Sequence, residues 1–110
     1  MAVNAIASET PVANVELDPY VVDVLMPDLI GHDRQPSAFI VFLFLWRHTF
    51  GVDKPSVQVS LLDMVAATGL SKRAIQEALR LLSKRRLLSI QRDSITAVPV
   101  YSLRRLWIRR

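Results

Sequence analysis

The stretch Ser60–Leu88, SLLDMVAATGLSKRAIQEALRLLSKRRLL, decides the architecture. Ser60 followed three residues later by Asp63 has the form of a capping box, in which each side chain bonds the other's backbone N–H, although Asp is shorter than the usual Glu or Gln. A helix is therefore predicted from Leu61. Its apolar positions Leu61, Leu62, Val65 and Ala66 fall on adjoining turns, and Gly69 ends it where a tight turn needs positive φ. Leu70 packs the turn, and Ser71 is the next N-cap, opening a second helix from Lys72 to about Lys84. Within it Ile75, Ala78, Leu79 and Leu82 are spaced i, i+3, i+4, i+7 and predict one buried stripe. The opposite face carries Lys72, Arg73, Gln76, Arg80 and Lys84.

Downstream the apolar period falls to two. Leu87–Gln91 and Ala97–Tyr101 read as strands joined through Arg92, Asp93, Ser94, Ile95 and Thr96, a hairpin with a small wing. The tail from Leu103 sets Trp107 among Arg104, Arg105, Arg109 and Arg110. Such interleaving suits either a nucleic-acid arm or a Trp folded back on the domain with solvated arginines.

Upstream, Val57-Gln58-Val59 is a short alternating strand, and Ser37–Thr49 is helical by length and residue type, with Gly51 as its stop. That helix is apolar almost all round and must be covered on more than one face. Either a second copy meets it through Phe39, Phe42, Leu43 and Trp46, or the N-terminal segment covers it. Leu29–Pro36 reads as a connection. Asp18-Pro19 is a helix start, Tyr20–Met26 is mixed in period and fits a strand or a short helix, and Pro27 ends it. Residues 1–16 read as a loose arm, 17–102 as one domain with its core motif at 56–101, and 103–110 as a basic tail. The expected class is mostly α with a small β wing.

Composition narrows the function. The chain has 110 residues, 51% hydrophobic and 22% charged, with no cysteine. That excludes a disulfide framework and thiolate metal sites and fits a reducing compartment. The longest apolar run, Phe39–Trp46, is far short of the roughly 20 residues of a membrane helix, and no basic residue or long hydrophobic stretch precedes Arg34, so a cytoplasmic protein without a secretory signal is expected. Gly31, Gly51 and Gly69 form no phosphate loop. His32 and His48 show no spaced carboxylate partner, so no metal, no cofactor and no catalytic constellation is expected, and no effector pocket is evident. The net charge of +4 is divided: residues 1–33 hold six acidic residues and no Lys or Arg, net −6, while residues 34–110 hold all 14 basic residues against four acidic, net +10. Clustered cations of this kind suit a polyanion whose condensed counterions they displace, or else form a solvated basic surface.

Taken together, the capped helix ending Ala67-Thr68-Gly69, the Leu70-Ser71-Lys72 entry, Ile75 and Leu79 inside the second helix, and the Lys84-Arg85-Arg86-Leu87-Leu88 exit resemble the core of the winged helix-turn-helix DNA-binding family of bacterial regulators, of the MarR or GntR type. The resemblance covers about residues 37–101 and is most specific over 56–90. It implies a three-helix core with a two- to three-stranded antiparallel sheet. It also implies sequence-specific binding of double-stranded DNA, transcription regulation, and a homodimer on a palindromic site. The helix at 72–84 would enter the major groove, with Ser71, Lys72, Arg73 and Gln76 at bases or adjoining phosphates, Arg80 on the backbone and Lys84 beside it. Arg92 in the wing would touch the minor groove or a phosphate, or is a plain hairpin charge. Glu77 lies on or beside that face, where a carboxylate repels phosphate unless it accepts from a cytosine amino group. The competing reading is a winged-helix adaptor in a replication or regulatory assembly, holding a protein partner through Leu81 and Trp107.

Overall fold

In the computed structural model, which describes residues 14–108, the chain is helix-rich with one small antiparallel sheet. Two helices form where the caps predict them. Helix α2, Leu61–Thr68, starts on Ser60, whose Oγ accepts the Asp63 N–H at 3.0 Å. It stops at Gly69, φ 78°, whose N–H reaches the Val65 carbonyl. Thr68 reinforces the bend: its hydroxyl donates to the Met64 carbonyl at 2.7 Å and accepts the Leu70 N–H at 3.1 Å. Helix α3, Lys72–Lys84, opens on Ser71, whose Oγ accepts the Ala74 N–H at 3.1 Å. Its inner stripe, Ile75, Ala78, Leu79 and Leu82, is buried.

The exit from α3 is a Schellman closure, with the Leu87 N–H on the Leu82 carbonyl and the Arg86 N–H on that of Ser83. The left-handed position this closure needs, usually a glycine, is filled by Arg86 at φ 60°. Leu82 and Leu87 are both buried, supplying the apolar contact that accompanies such a cap.

Helix α1, Pro36–Arg47, begins with proline in its first turn, where the missing N–H has no helical partner to lose. It packs most extensively against α3. Phe39, Phe42 and Trp46 are 6%, 0% and 2% exposed, and Leu43 packs on the same core. Phe39, Phe42 and Trp46 therefore lie within the chain's own interior and offer no surface to a second copy, which corrects that part of the expected interface, whereas Leu43 is only partly buried. The stop after α1 also differs from expectation: a 3-10 turn, Phe50–Val52, carries the chain through Gly51, and Asp53 is the left-handed residue at φ 56°.

The cover over α1 comes from the N-terminal segment. Two π-helical stretches, Val21–Leu25 and Pro27–His32, run through Pro27, so that proline joins two stretches and does not end one. Val21, Leu25 and Leu29 recur every four residues and are buried. The supposed connection at Leu29–Pro36 is thus helical as far as His32, and Leu29 belongs to the core. Further back, the Glu16 carbonyl accepts from Trp46 Nε1 at 2.7 Å, fixing the approach to this segment. The rest of the expected arm, 1–13, lies outside the described residues.

Strands β1, Val57–Gln58, β2, Leu88–Gln91, and β3, Val100–Leu103, form a sheet in the order β1-β3-β2. Tyr101 faces Val57 on one side and Ile90 on the other, and Leu88 faces Leu103. Strand β3 begins three residues later than the alternation predicts. Pro99 carries no N–H for a ladder, and its carbonyl instead accepts from Val59 N–H at 3.3 Å beside β1.

Candidate nucleic-acid interface

An amphipathic helix pinned by its apolar stripe must present its other side outward. Lys72, Arg73, Gln76, Arg80 and Lys84 are accordingly all exposed on α3. Among the described residues Lys72, Arg80 and Lys84 make no ion pair, whereas Arg73 Nε donates to Glu77 Oε2 at 3.2 Å, one turn along. Glu77 is therefore partly neutralised by a neighbour on its own helix. Ser71 is exposed at the helix start, but its hydroxyl is committed to the cap. What it leaves outward are the first backbone N–H groups of α3, which have no intrahelical partner.

An open groove of about 420 Å³ runs beside this face, lined by Gln35, Glu77, Arg80, Leu81 and Lys84. Gln35 reaches it from the turn before α1, and its Oε1 is buried with no hydrogen-bond partner. No local pattern marks Gln35; only the packing of α1 on α3 brings it here. Leu81 lines the groove while packing on the core.

The acidic and basic parts of the chain meet in space. Arg85, the residue after α3, hydrogen-bonds Asp28 through Nη2 and Asp33 through Nη1. Its pKa is raised, first by the hydrogen bond to Asp28, with burial opposing and Asp33 adding to it. For Asp33, burial pushes the carboxyl pKa upward, but hydrogen bonds from Arg85 and His32, with their charges, outweigh it and hold the carboxyl below its ordinary value. His32 thus has carboxylate neighbours after all, Asp33 at 3.2 Å and Asp28 at 3.9 Å. Of the cluster Lys84-Arg85-Arg86, the two outer residues stay exposed and the middle one turns inward.

The tail behaves similarly. Trp107 stacks on Tyr20, centroids 4.5 Å apart and 13° between planes, and its Nε1 donates to Asp18 at 3.0 Å. Arg105 lies over the Phe50 ring at 4.4 Å and reaches Asp18 at 3.4 Å. Of the two readings of the tail, Trp107 follows the folded-back one; Arg104 is exposed, and Arg109 and Arg110 lie outside the described residues.

In the hairpin loop Arg92 is exposed, with Nη1 donating to the Ile95 carbonyl at 3.2 Å. Burial raises the Tyr101 pKa, and the positive charge of Arg92 opposes that shift. Among the described residues no helix is long and apolar enough to cross a membrane, and no cluster of three His, Cys, Asp or Glu side chains could hold a metal ion. Comparison with protein-family models, curated proteins and solved structures finds no match to this chain.

Proposed function

We propose that the chain is a winged helix-turn-helix protein that binds double-stranded DNA in a sequence-specific manner and acts as a transcriptional regulator in the cytoplasm. The observation that carries this reading is the open cationic face of α3: its apolar stripe is buried, and no part of the described chain covers Lys72, Arg73, Gln76, Arg80 or Lys84. The element order α1-β1-α2-α3-β2-β3, with β1 returning to pair with β3, supports it. A major groove about 12 Å wide admits one helix, N-terminal end foremost. Arg73 then reads guanine, Gln76 pairs with adenine, and Lys72, Arg80 and Lys84 hold phosphates. A regulator of this kind reads a palindromic site as a pair, joined through residues other than the buried ones of α1.

The adaptor reading has less to stand on, because Leu81 packs on the core and Trp107 is engaged by Tyr20 and Asp18. On this reading five exposed cations would meet phosphate: Lys72, Arg80, Lys84, Arg86 and Arg92. At a slope of about −0.9 per phosphate contact, affinity for duplex DNA should fall roughly 10²- to 10³-fold over a fourfold rise in salt. Fluorescence anisotropy over a salt series measures this, and Lys72→Glu with Arg73→Glu should abolish the binding. Duplex affinity that ignores both salt and the charge reversal overturns the proposal.

A further inference from the structure

We propose that a groove at the open end of the sheet docks an acidic segment of a partner protein, with the partner's apolar side chains in the groove and its carboxylates on the arginines there. Strand β3 pairs with β2 along all four of its residues but with β1 only at Val100 and Tyr101. Beyond Tyr101 its β1 side is therefore free, and a groove of about 510 Å³ opens there. Phe50, Pro55 and Leu103 line it from the domain, and the tail lines it through Leu106, Ile108 and two arginines. The tail is set in place by Trp107, which stacks on Tyr20 at 4.5 Å and donates to Asp18 at 3.0 Å. A turn in which the Ile108 N–H meets the Arg105 carbonyl at 3.1 Å holds it further. With Trp107 turned onto the domain, its two neighbours are left at the groove, Leu106 52% and Ile108 41% exposed.

Contiguous apolar surface rimmed by polar groups marks a protein-docking site. The rim here has one sign. Arg104 is exposed and makes no ion pair among the described residues, and Arg105 is shared between the Phe50 ring and Asp18. No carboxylate among the described residues lines the groove. In sequence, Arg109 and Arg110 follow Ile108 directly. Charge complementarity therefore calls for an acidic occupant, and the aliphatic lining calls for one with apolar side chains of its own. Duplex DNA meets the first requirement alone, since phosphates offer Leu106 and Ile108 no apolar partner. None of the cations assigned to DNA lines this groove, so docking here does not depend on the DNA-binding reading.

The probe is a fluorescein-labelled helical peptide of about 16 residues, with leucines spaced i, i+3, i+4, i+7 and glutamates on its other face, offered to the full chain at about 0.15 M salt. Anisotropy should show it binding at least about 10-fold more tightly than the same peptide with serine for leucine or lysine for glutamate. Trp107, flanked by both docking residues, should report binding through its emission. Leu106→Ser with Ile108→Ser, both at exposed positions, should lose that margin while keeping the parent's far-ultraviolet circular dichroism and DNA affinity. Arg104→Glu should weaken the peptide about 5- to 10-fold. Lys72→Glu with Arg73→Glu should leave peptide affinity within about twofold, because those residues lie outside the groove. Peptide affinity that ignores the Leu106 and Ile108 changes, or that falls with Lys72 and Arg73 instead, is general attraction to a basic chain and overturns the docking groove. So does failure of the parent to bind the peptide, including the case in which it binds anionic lipid vesicles through Leu106 and Ile108. Each of these results leaves the DNA-binding reading standing.

Discussion

Replacing Arg85 by alanine should loosen the N-terminal segment from α3 without touching the exposed cationic face. The guanidinium joins two carboxylates from the π-helical cover to the residue that closes α3, and Arg85, Asp28 and Asp33 are 29%, 31% and 18% exposed. Exposed pairs contribute about 0–1 kcal/mol, and removing one partner of a buried pair loses about 3–5 kcal/mol, so this half-buried bridge should be worth about 2 kcal/mol. For a domain of this size that is a fall in Tm of about 8–16 °C. The pH dependence has a definite sign. Because the folded Asp33 pKa lies below the ordinary 3.8, its contribution is complete above that value and is lost as pH falls through the lower folded value. The gap between parent and Arg85→Ala should therefore be constant near neutrality and close in acid. Urea unfolding followed by tryptophan fluorescence is the direct assay, since Trp46 and Trp107 both touch the N-terminal segment. A variant within about 0.5 kcal/mol of the parent at pH 7, with an unaltered acid profile, would show that the bridge does not hold the segment.

Arg86→Gly should raise stability by about 0.5–1 kcal/mol, because glycine adopts the left-handed position at no steric cost. The same change should reduce the salt slope of DNA binding by about one, so urea midpoints and anisotropy should move in opposite directions. Gly69→Ala should lose about 1–2 kcal/mol by the converse argument. Nothing lies within 4 Å of where its Cβ would be, so a variant as stable as the parent would mean that the bend tolerates a left-handed alanine.

Where a signal is local, it is legible. Ser60, Gly69 and Ser71 each act on backbone groups within four residues of themselves, and α2 and α3 begin and end where these residues dictate. The cover on α1 is not local. Tyr20–Met26 shows no clean 3.6 period because only Val21 and Leu25 of it are buried, and the stripe they begin is completed by Leu29 in the next π-helical stretch. Pro27 masks the continuity further. The start of β3 depends on pairing with β1, some forty positions away, and no alternation near Ala97 encodes that partner.

The candidate site divides along the same line. Lys72, Arg73, Gln76, Arg80 and Lys84 follow from the apolar stripe opposite them, since a stripe of known position assigns every other residue on its helix to a face. Arg85 differs from its neighbours only through Asp28 and Asp33, and Gln35 reaches the groove only through the packing of α1 on α3.

From sequence by itself came the two capped helices, the bend between them and the sidedness of the second, because capping, glycine geometry and helical period act within a few residues. Tertiary structure alone decided that Phe39, Phe42 and Trp46 are interior, that Trp107 is anchored, and which arginines remain open to a partner. Burial and ion pairing are properties of what lies alongside, and chain order does not specify which distant segment that will be.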